Sequence, residues 1–142
     1  MHVSAILGNK GNAIYSVDPG DNVSVAIDIL SEKRIGAVLV VTSGNLCGVF
    51  SERDIVRTLK SVGAGALNRP VEEFMTKELF TCGMEDTIDH LMGLMTEKRV
   101  RHVPVIDDGK LAGMITIGDV VKFRISEVVA ETDALKSYIA SG

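Results

Sequence analysis

The chain carries Gly48-Val49-Phe50-Ser51-Glu52-Arg53-Asp54-Ile55-Val56 and, 65 residues further on, Gly113-Met114-Ile115-Thr116-Ile117-Gly118-Asp119-Val120-Val121. In each, a glycine-led β-rich stretch runs into Ser/Thr-x-x-Asp, the pattern of a strand that passes straight into a helix start. Extended outward at the same shift, Ile14 to Arg57 superposes on Leu79 to Lys122 without a gap. Asp21 meets Asp86, Glu32-Lys33-Arg34 meets Glu97-Lys98-Arg99, and Gly44, Leu46 and Gly48 meet Gly109, Leu111 and Gly113. Self-similarity at a fixed period marks one supersecondary unit used twice, because a unit that cannot bury its apolar face alone buries it against a copy. Two copies close about a pseudo-two-fold axis, so a site at their junction should come in two related versions.

Each copy predicts the same order of elements. A short helical piece (Val3 to Leu7, Val71 to Met75) precedes a β segment (Ile14 to Val17, Leu79 to Cys82). Asp21-Asn22 and Asp86-Thr87 supply capping side chains for a helix. Behind them Val23, Ala26, Ile27 and Leu30, matched by Ile88, Leu91, Met92 and Met95, form an apolar stripe at helical spacing. Both helices end on Lys-Arg, which suits the negative end of the dipole. Ile35 to Val41 and Val100 to Ile106 read as buried strands, and Thr42-Ser43-Gly44-Asn45 and Asp107-Asp108-Gly109-Lys110 as hairpin turns. Return strands (Leu46 to Phe50, Leu111 to Ile115) and a last helix from Ser51 or Thr116 complete a β-α-β-β-α unit. The fold class is therefore α/β of the α+β type, with residues 1–65 as the first unit and 66–125 as the second. Residues 126–142 are expected to form a C-terminal helix, on the apolar pattern Val128, Leu135 and Ile139.

Composition narrows the function. At 142 residues the chain fits one compact domain or two half-domains sharing a core. A net charge of −4 argues against nucleic acid as a partner, and an anionic ligand would need a local basic pocket. No apolar run approaches the ~20 residues that span a bilayer, and the N-terminus has no signal-peptide pattern, so no membrane is expected and the cytoplasm is the default location. Cys47 and Cys82 are expected to be buried reduced thiols. His2 and His90 have no partners at ligand spacing, so no metal is expected. No nucleophile, base and orienting acid can be assembled, which argues against an enzyme.

Ser51-x-x-Asp54 and Thr116-x-x-Asp119 admit two readings. A carboxylate there can accept hydrogen bonds from both hydroxyls of a ribose, with the Ser or Thr and free backbone N–H groups facing phosphate. The same residues can form helix capping boxes, although such boxes prefer Glu or Gln at the third position. Arg53 stands in a helix first turn, a poor place for a cation unless an anion faces it. Arg57 and Lys122 are expected to face solvent.

The tandem β-α-β-β-α unit, the two quoted motifs and Arg101-His102-Val103-Pro104-Val105 resemble the CBS-domain pair, or Bateman module, over nearly the whole chain. The resemblance implies a regulatory module that binds an adenosine-containing ligand, an adenine nucleotide (AMP, ADP, ATP) or NAD(H), with no catalytic cofactor. It implies a homodimer and a regulated partner protein as well. Asp54 and Asp119 would hold ribose, with Ser51 and Thr116 at the phosphate side. Arg53, Arg101 and His102 would offset phosphate charge, and Val38, Val103, Pro104 and Met114 would flank the base. Gly36-Ala37, where the second copy has Arg101-His102, would let an adenine ring approach strand backbone. Lys10, Ile14 and Tyr15, with Lys77, Leu79 and Phe80, would line the neighbouring copy's cleft. The alternative is a constitutive interaction subunit whose clefts are empty or degenerate.

Overall fold

The computed structural model describes residues 1–11 and 13–141. The elements run α1 (Val3–Lys10), β1 (Ser16–Val17), α2 (Val23–Lys33), β2 (Ala37–Thr42), β3 (Asn45–Ser51) and α3 (Glu52–Ser61). After 3-10 turns at Ala64–Asn68 and Val71–Glu73 come α4 (Ile88–Lys98), β4 (His102–Asp107), β5 (Lys110–Thr116) and α5 (Ile117–Ser141). The two hairpins share one geometry. Ser43-Gly44 and Asp108-Gly109 all have positive φ (50°, 78°, 52° and 74°), the type I′ signature that matches strand twist. Register shifts fall at equivalent places, between Val40 and Val41 and between Val105 and Ile106.

The two copies differ where one residue forbids symmetry. In the first, β1 pairs parallel with β2, and Leu39 N–H donates to the Tyr15 carbonyl at 3.0 Å. The equivalent of Leu39 is Pro104, which has no N–H to give. The strand expected from Leu79 to Cys82 is thereby reduced to a single bridge between Cys82 and Val105. At the C-terminus, the helix expected from residue 126 is present as the unbroken continuation of α5, which runs for 25 residues. No helix among the described residues is long and apolar enough to cross a membrane. Cys82 is buried and Cys47 half-buried, and neither is bridged; burial, with Asp86 nearby, pushes the Cys82 thiol up to about 11.

The helical arm that opens each repeat packs on the other repeat's core. Val3, Ile6 and Leu7 of α1 join Cys82, Ile88, Leu91, Val103, Val105 and Ile115 in one apolar cluster. Val71 joins Val17, Val23, Val38, Val40 and Phe50 in the other. Matching backbone hydrogen bonds fix both arms: Val3 N–H to the Asp86 carbonyl at 2.9 Å, and Val71 N–H to that of Asp21 at 2.8 Å. The arms also explain the glycines that lead the two motifs. A Cβ at Gly48 would stand 2.6 Å from Met75 Sδ and 2.9 Å from the Thr76 carbonyl, and one at Gly113 would stand 2.9 Å from Leu7 Cδ2. At Gly48, against the Thr76 carbonyl, only a bare backbone lets the arm lie this close, whereas at Gly113 the contact is with the end of the Leu7 side chain. A third cluster, centred on Ala37, Leu39 and Val49 with Leu79, Leu111 and Met114 packed around them, joins the halves.

Candidate functional site

Strand alternation decides which residues reach the junction of the halves. Side chains on a strand point to opposite faces in turn. Val38 and Val103 therefore enter the two cores and are fully buried there, while Ala37, His102 and Pro104 turn to the junction. The expectation that Val38 and Val103 flank a ligand is corrected by this geometry. The junction opens into a single cleft of about 910 Å³, within the size range of ligand sites. Its walls include Ser51, Arg53, Asp54, Thr116, Asp119, Arg101, His102, Pro104, Gly36, Ala37, Lys10, Ile14, Tyr15, Leu79, Phe80 and Met114. Lys77 lies outside the lining and is exposed, because Thr76, one residue earlier, takes the inward position.

Both Ser/Thr-x-x-Asp motifs form capping boxes. Ser51 Oγ accepts from Asp54 N–H at 3.3 Å, and Asp54 Oδ2 accepts from Ser51 N–H at 2.9 Å. Thr116 Oγ1 and Asp119 Oδ2 repeat this at 3.1 and 2.9 Å. The partners beyond the box differ. Asp54, only 2% exposed, also accepts from Ser51 Oγ (3.1 Å), Thr76 Oγ1 (2.8 Å) and Arg57 Nη2, so both its oxygens are occupied. Asp119, whose side chain is 21% exposed, binds Lys10 Nζ at 2.7 Å through Oδ2. Its Oδ1 has no hydrogen-bond partner among the described residues. Burial would raise the Asp119 carboxyl, but the hydrogen bond and charge of Lys10 and the hydrogen bonds of Thr116 together hold it below the ordinary carboxylate value. Lys10 also donates to the Met114 carbonyl at 2.9 Å.

Gly36 leaves room for a neighbouring side chain rather than for open space. A Cβ there would lie 3.1 Å from His102 Nε2 and 3.3 Å from Cε1, so the imidazole fills the gap that the sequence suggested for a base. Burial lowers the His102 pKa, with Glu52 and Asp119 opposing this and Arg101 and Lys10 reinforcing it. Burial thus disfavours the charged imidazolium. Tyr15 and Phe80 form equivalent aromatic walls, each with a lysine over its ring: Lys33 Nζ at 5.7 Å and Lys98 Nζ at 5.5 Å from the centroid.

The sequence reading missed several cations. Arg57 pairs with Asp54 instead of facing only solvent, and Arg34, Lys98 and Arg99 line the cleft instead of serving only a helix dipole. Arg34 and Arg99 end α2 and α4 in the left-handed conformation, at φ 54° and 55°. That conformation is uncommon for residues other than Gly, Asn or Asp, and its repetition at equivalent positions marks a shared constraint. The signal was the Lys-Arg pair recurring at the 65-residue period. Seven Lys and Arg side chains line the cleft against four carboxylates, so an acidic chain concentrates positive charge here.

Comparison with known proteins agrees with this architecture. The family model described as CBS domain matches residues 12–61 and 71–126. The chain is 36% identical over 127 residues to the CBS domain-containing protein CBSX3, mitochondrial, of Arabidopsis thaliana, covering 86% of this chain and 62% of that relative. A crystal structure of a CBS-domain containing protein from Agrobacterium tumefaciens superposes with a TM-score of 0.85 at 42% identity, covering 87% of this chain and 99% of that one. The CBS domain pair of protein MJ0100, in complex with 5′-methylthioadenosine and S-adenosyl-L-methionine, superposes with a TM-score of 0.79 at 23% identity, covering 89% of this chain and 98% of that one.

Proposed function

This chain belongs to the CBS-domain family, and on that footing we propose that it is a non-enzymatic regulatory module binding an adenosine-containing ligand, an adenine nucleotide or NAD(H), and signalling to a partner protein. The observation that carries this reading is the Asp119 side of the cleft. One carboxylate oxygen there is open, the other is held by a lysine that can rehydrate, and the surrounding walls are cationic. A ribose diol asks for a carboxylate with free lone pairs, and a phosphate asks for arginines whose forked donors match it. MJ0100 shares the fold alone at its level of identity, so the ligand class rests on the cleft's own chemistry. Titration calorimetry with adenosine, AMP, ADP, ATP, NAD+, NADH and S-adenosylmethionine tests it. Binding of at least one, lost in Asp119→Ala, is the expected result; silence from all of them sinks the reading.

A second reading is favoured by the Asp54 side. There the carboxylate is saturated and the gap at Gly36 holds the His102 ring. That half behaves as a filled, structural site, which is what an interaction subunit with degenerate clefts would have in both halves. Ligand binding at a stoichiometry of one per chain separates the two readings.

The partner in assembly is a second copy of this chain. The exposed apolar residues Val121, Ile125, Val128, Leu135 and Ile139 of α5 follow alternating steps of four and three once Thr132 is counted, the spacing of a coiled-coil seam. Ile125, Thr132 and Ile139 fall at its a positions and Val121, Val128 and Leu135 at its d positions, a seam that a parallel pair of α5 helices would bury. In that arrangement Glu131 meets Lys136 of the second copy, a complementary flanking pair.

A further inference from the structure

Among the described residues, His102 carries the one imidazole in the cleft wall, and its ring touches the opposite repeat. His102 opens β4 of the second unit, yet the ring lies over Gly36, the residue that precedes β2 of the first. A Cβ at Gly36 would come within 3.1 Å of Nε2 and 3.3 Å of Cε1, so the ring rests on bare backbone. The contact is one-sided. Under the 65-residue shift the equivalent of His102 is Ala37, which is fully buried and has no polar side-chain atom, so the junction holds this ring once. Packing keeps the ring in place. No hydrogen bond among the described residues holds either ring nitrogen, and neither nitrogen is sealed from solvent.

Four charged groups face the ring, each from a different segment. Lys10 comes from the end of α1, Glu52 from the start of α3, Arg101 from the residue before β4, and Asp119 from the first turn of α5. Of the two carboxylates, Asp119 is engaged by Lys10 at 2.7 Å and Glu52 is exposed to water. A proton added to the ring in its half-buried seat therefore meets no counter-ion of its own, whereas water outside the seat solvates the imidazolium. We infer that His102 is a proton-sensitive latch between the two repeats: the neutral ring closes over Gly36 and holds the halves together, and the protonated ring leaves that seat and loosens the junction. The backbone specifies what is loosened. The Gly36 carbonyl accepts from Glu52 N–H at 3.0 Å and the Arg101 carbonyl from Ile117 N–H at 2.9 Å, so both sides of the contact are tied to the starts of the helices that bear Asp54 and Asp119. The latch rests on the packing of the junction and stands whether or not a nucleotide binds.

The direction of the effect follows from linkage. Burial lowers the His102 pKa, so the unfolded chain takes up this proton near the ordinary imidazole value of about 6.5 and the folded chain only at lower pH. Stability is therefore lost as pH falls below about 6.5, and the loss stops growing below the folded value. Asp119, held below the ordinary carboxylate value of about 3.9, stays charged down to about pH 5. The test compares the whole native chain with His102→Gln, which takes up no proton, and Gly36→Ala, whose Cβ crowds the ring out of its seat, between about pH 7.5 and about pH 5. Nuclear magnetic resonance follows the His102 Cε1 proton and the protection of the Glu52 amide from exchange, and scanning fluorimetry follows melting. The native ring is expected to titrate below about 6.5, with Glu52 amide protection falling about threefold or more as it does so. The native chain should lose about 2 °C or more beyond the loss in His102→Gln, and in Gly36→Ala this excess should shrink. A native ring that titrates at or above about 6.5 overturns the inference, as do equal losses in the native chain and His102→Gln. A ring that titrates low while Glu52 protection stays unchanged marks a buried histidine that latches nothing, and overturns it too. Should His102→Gln fail to fold, the two resonance measurements on the native chain decide the matter.

Discussion

Asp54→Ala is expected to lower the melting temperature by about 10 °C, whereas Asp119→Ala should lower it by no more than about 4 °C while removing ligand binding. The difference follows from what each carboxylate holds. Asp54 is 2% exposed and accepts from Ser51 N–H, Ser51 Oγ, Thr76 Oγ1 and Arg57 Nη2. Its removal opens the capping box, at about 1 kcal/mol. It also strands the Ser51 N–H and the Thr76 hydroxyl in a half-buried place, at about 1 kcal/mol each. Arg57, with its side chain 59% exposed, regains water and adds little. The total is about 3 kcal/mol, and near this chain length each kcal/mol shifts the melting point by about 3–4 °C. Asp119 also closes a capping box, but its other partner, Lys10, and its own carboxylate are partly wet, so its loss costs about 1 kcal/mol. Scanning fluorimetry gives the stabilities and calorimetry gives the binding. Equal losses of melting temperature, or nucleotide binding that survives in Asp119→Ala but not in a folded Asp54→Asn, would refute the asymmetry argued here.

Further outcomes follow from neighbouring contacts. Gly48→Ala should cost about 2 kcal/mol, because its Cβ meets the Thr76 backbone carbonyl, whereas Gly113→Ala should cost about 1 kcal/mol or less, because it meets only the movable end of Leu7; urea titration of both variants measures this. The Asp119 carboxyl is depressed in the folded state, so the stability it supplies is present above the ordinary carboxylate pKa of about 3.9 and is lost as pH falls through the lower folded value. Lys10→Met should therefore be less stable than the native chain by up to about 1 kcal/mol at pH 7, with the gap closing by about pH 2; denaturation series at both pH values read it directly. A paired charge in the α5 seam, Ile125→Asp with Leu135→Asp, should halve the mass measured by light scattering at equal concentration; an unchanged mass would exclude the seam as the dimer contact.

The repeat made most of the fold legible, because register, turns and caps were each written twice and one copy checked the other. Both type I′ turns, both hairpin strand pairs and the capping boxes at Ser51 and Thr116 stand where the 65-residue shift puts them. Of the caps expected on α2 and α4, only Thr87 forms one, accepting from His90 N–H at 3.1 Å, and Asn22 makes no side-chain cap. Three features escaped for physical reasons. The exchange of arms was hidden because Val3 to Leu7 and Val71 to Met75 show which residues are apolar, but not whose core they enter. The shortened strand at Cys82 depended on Pro104 lacking an N–H on a partner strand, a tertiary consequence of a residue read at first only as part of a motif. Val38 and Val103 were assigned to the cleft because they lie within the strand signature. The pleat sends them the other way, and it is Ala37, His102 and Pro104 that face the junction.

The inequality of the two halves traces largely to one contact on each arm. Thr76, from the arm of the second repeat, offers Asp54 a neutral hydroxyl at 2.8 Å, in a place where the carboxylate is almost dry. A ligand that displaced this hydroxyl would have to supply a replacement donor without water's help, so the Asp54 side is tied to the fold. Lys10, from the arm of the first repeat, offers Asp119 a charge instead, and both groups keep contact with solvent. A partly exposed ion pair is worth about 1 kcal/mol or less, so a ribose diol that bonds the same carboxylate twice can offset its loss. Lys10 is also the last residue of α1, whose Val3, Ile6 and Leu7 are fixed in the second core, just before the chain crosses to β1 in the first sheet. Releasing Lys10 from Asp119 would therefore free a contact at the point where the chain passes between the halves. On the proposed reading, a ligand at Asp119 would act next to the crossing itself, whereas a change at Asp54 would act first on stability.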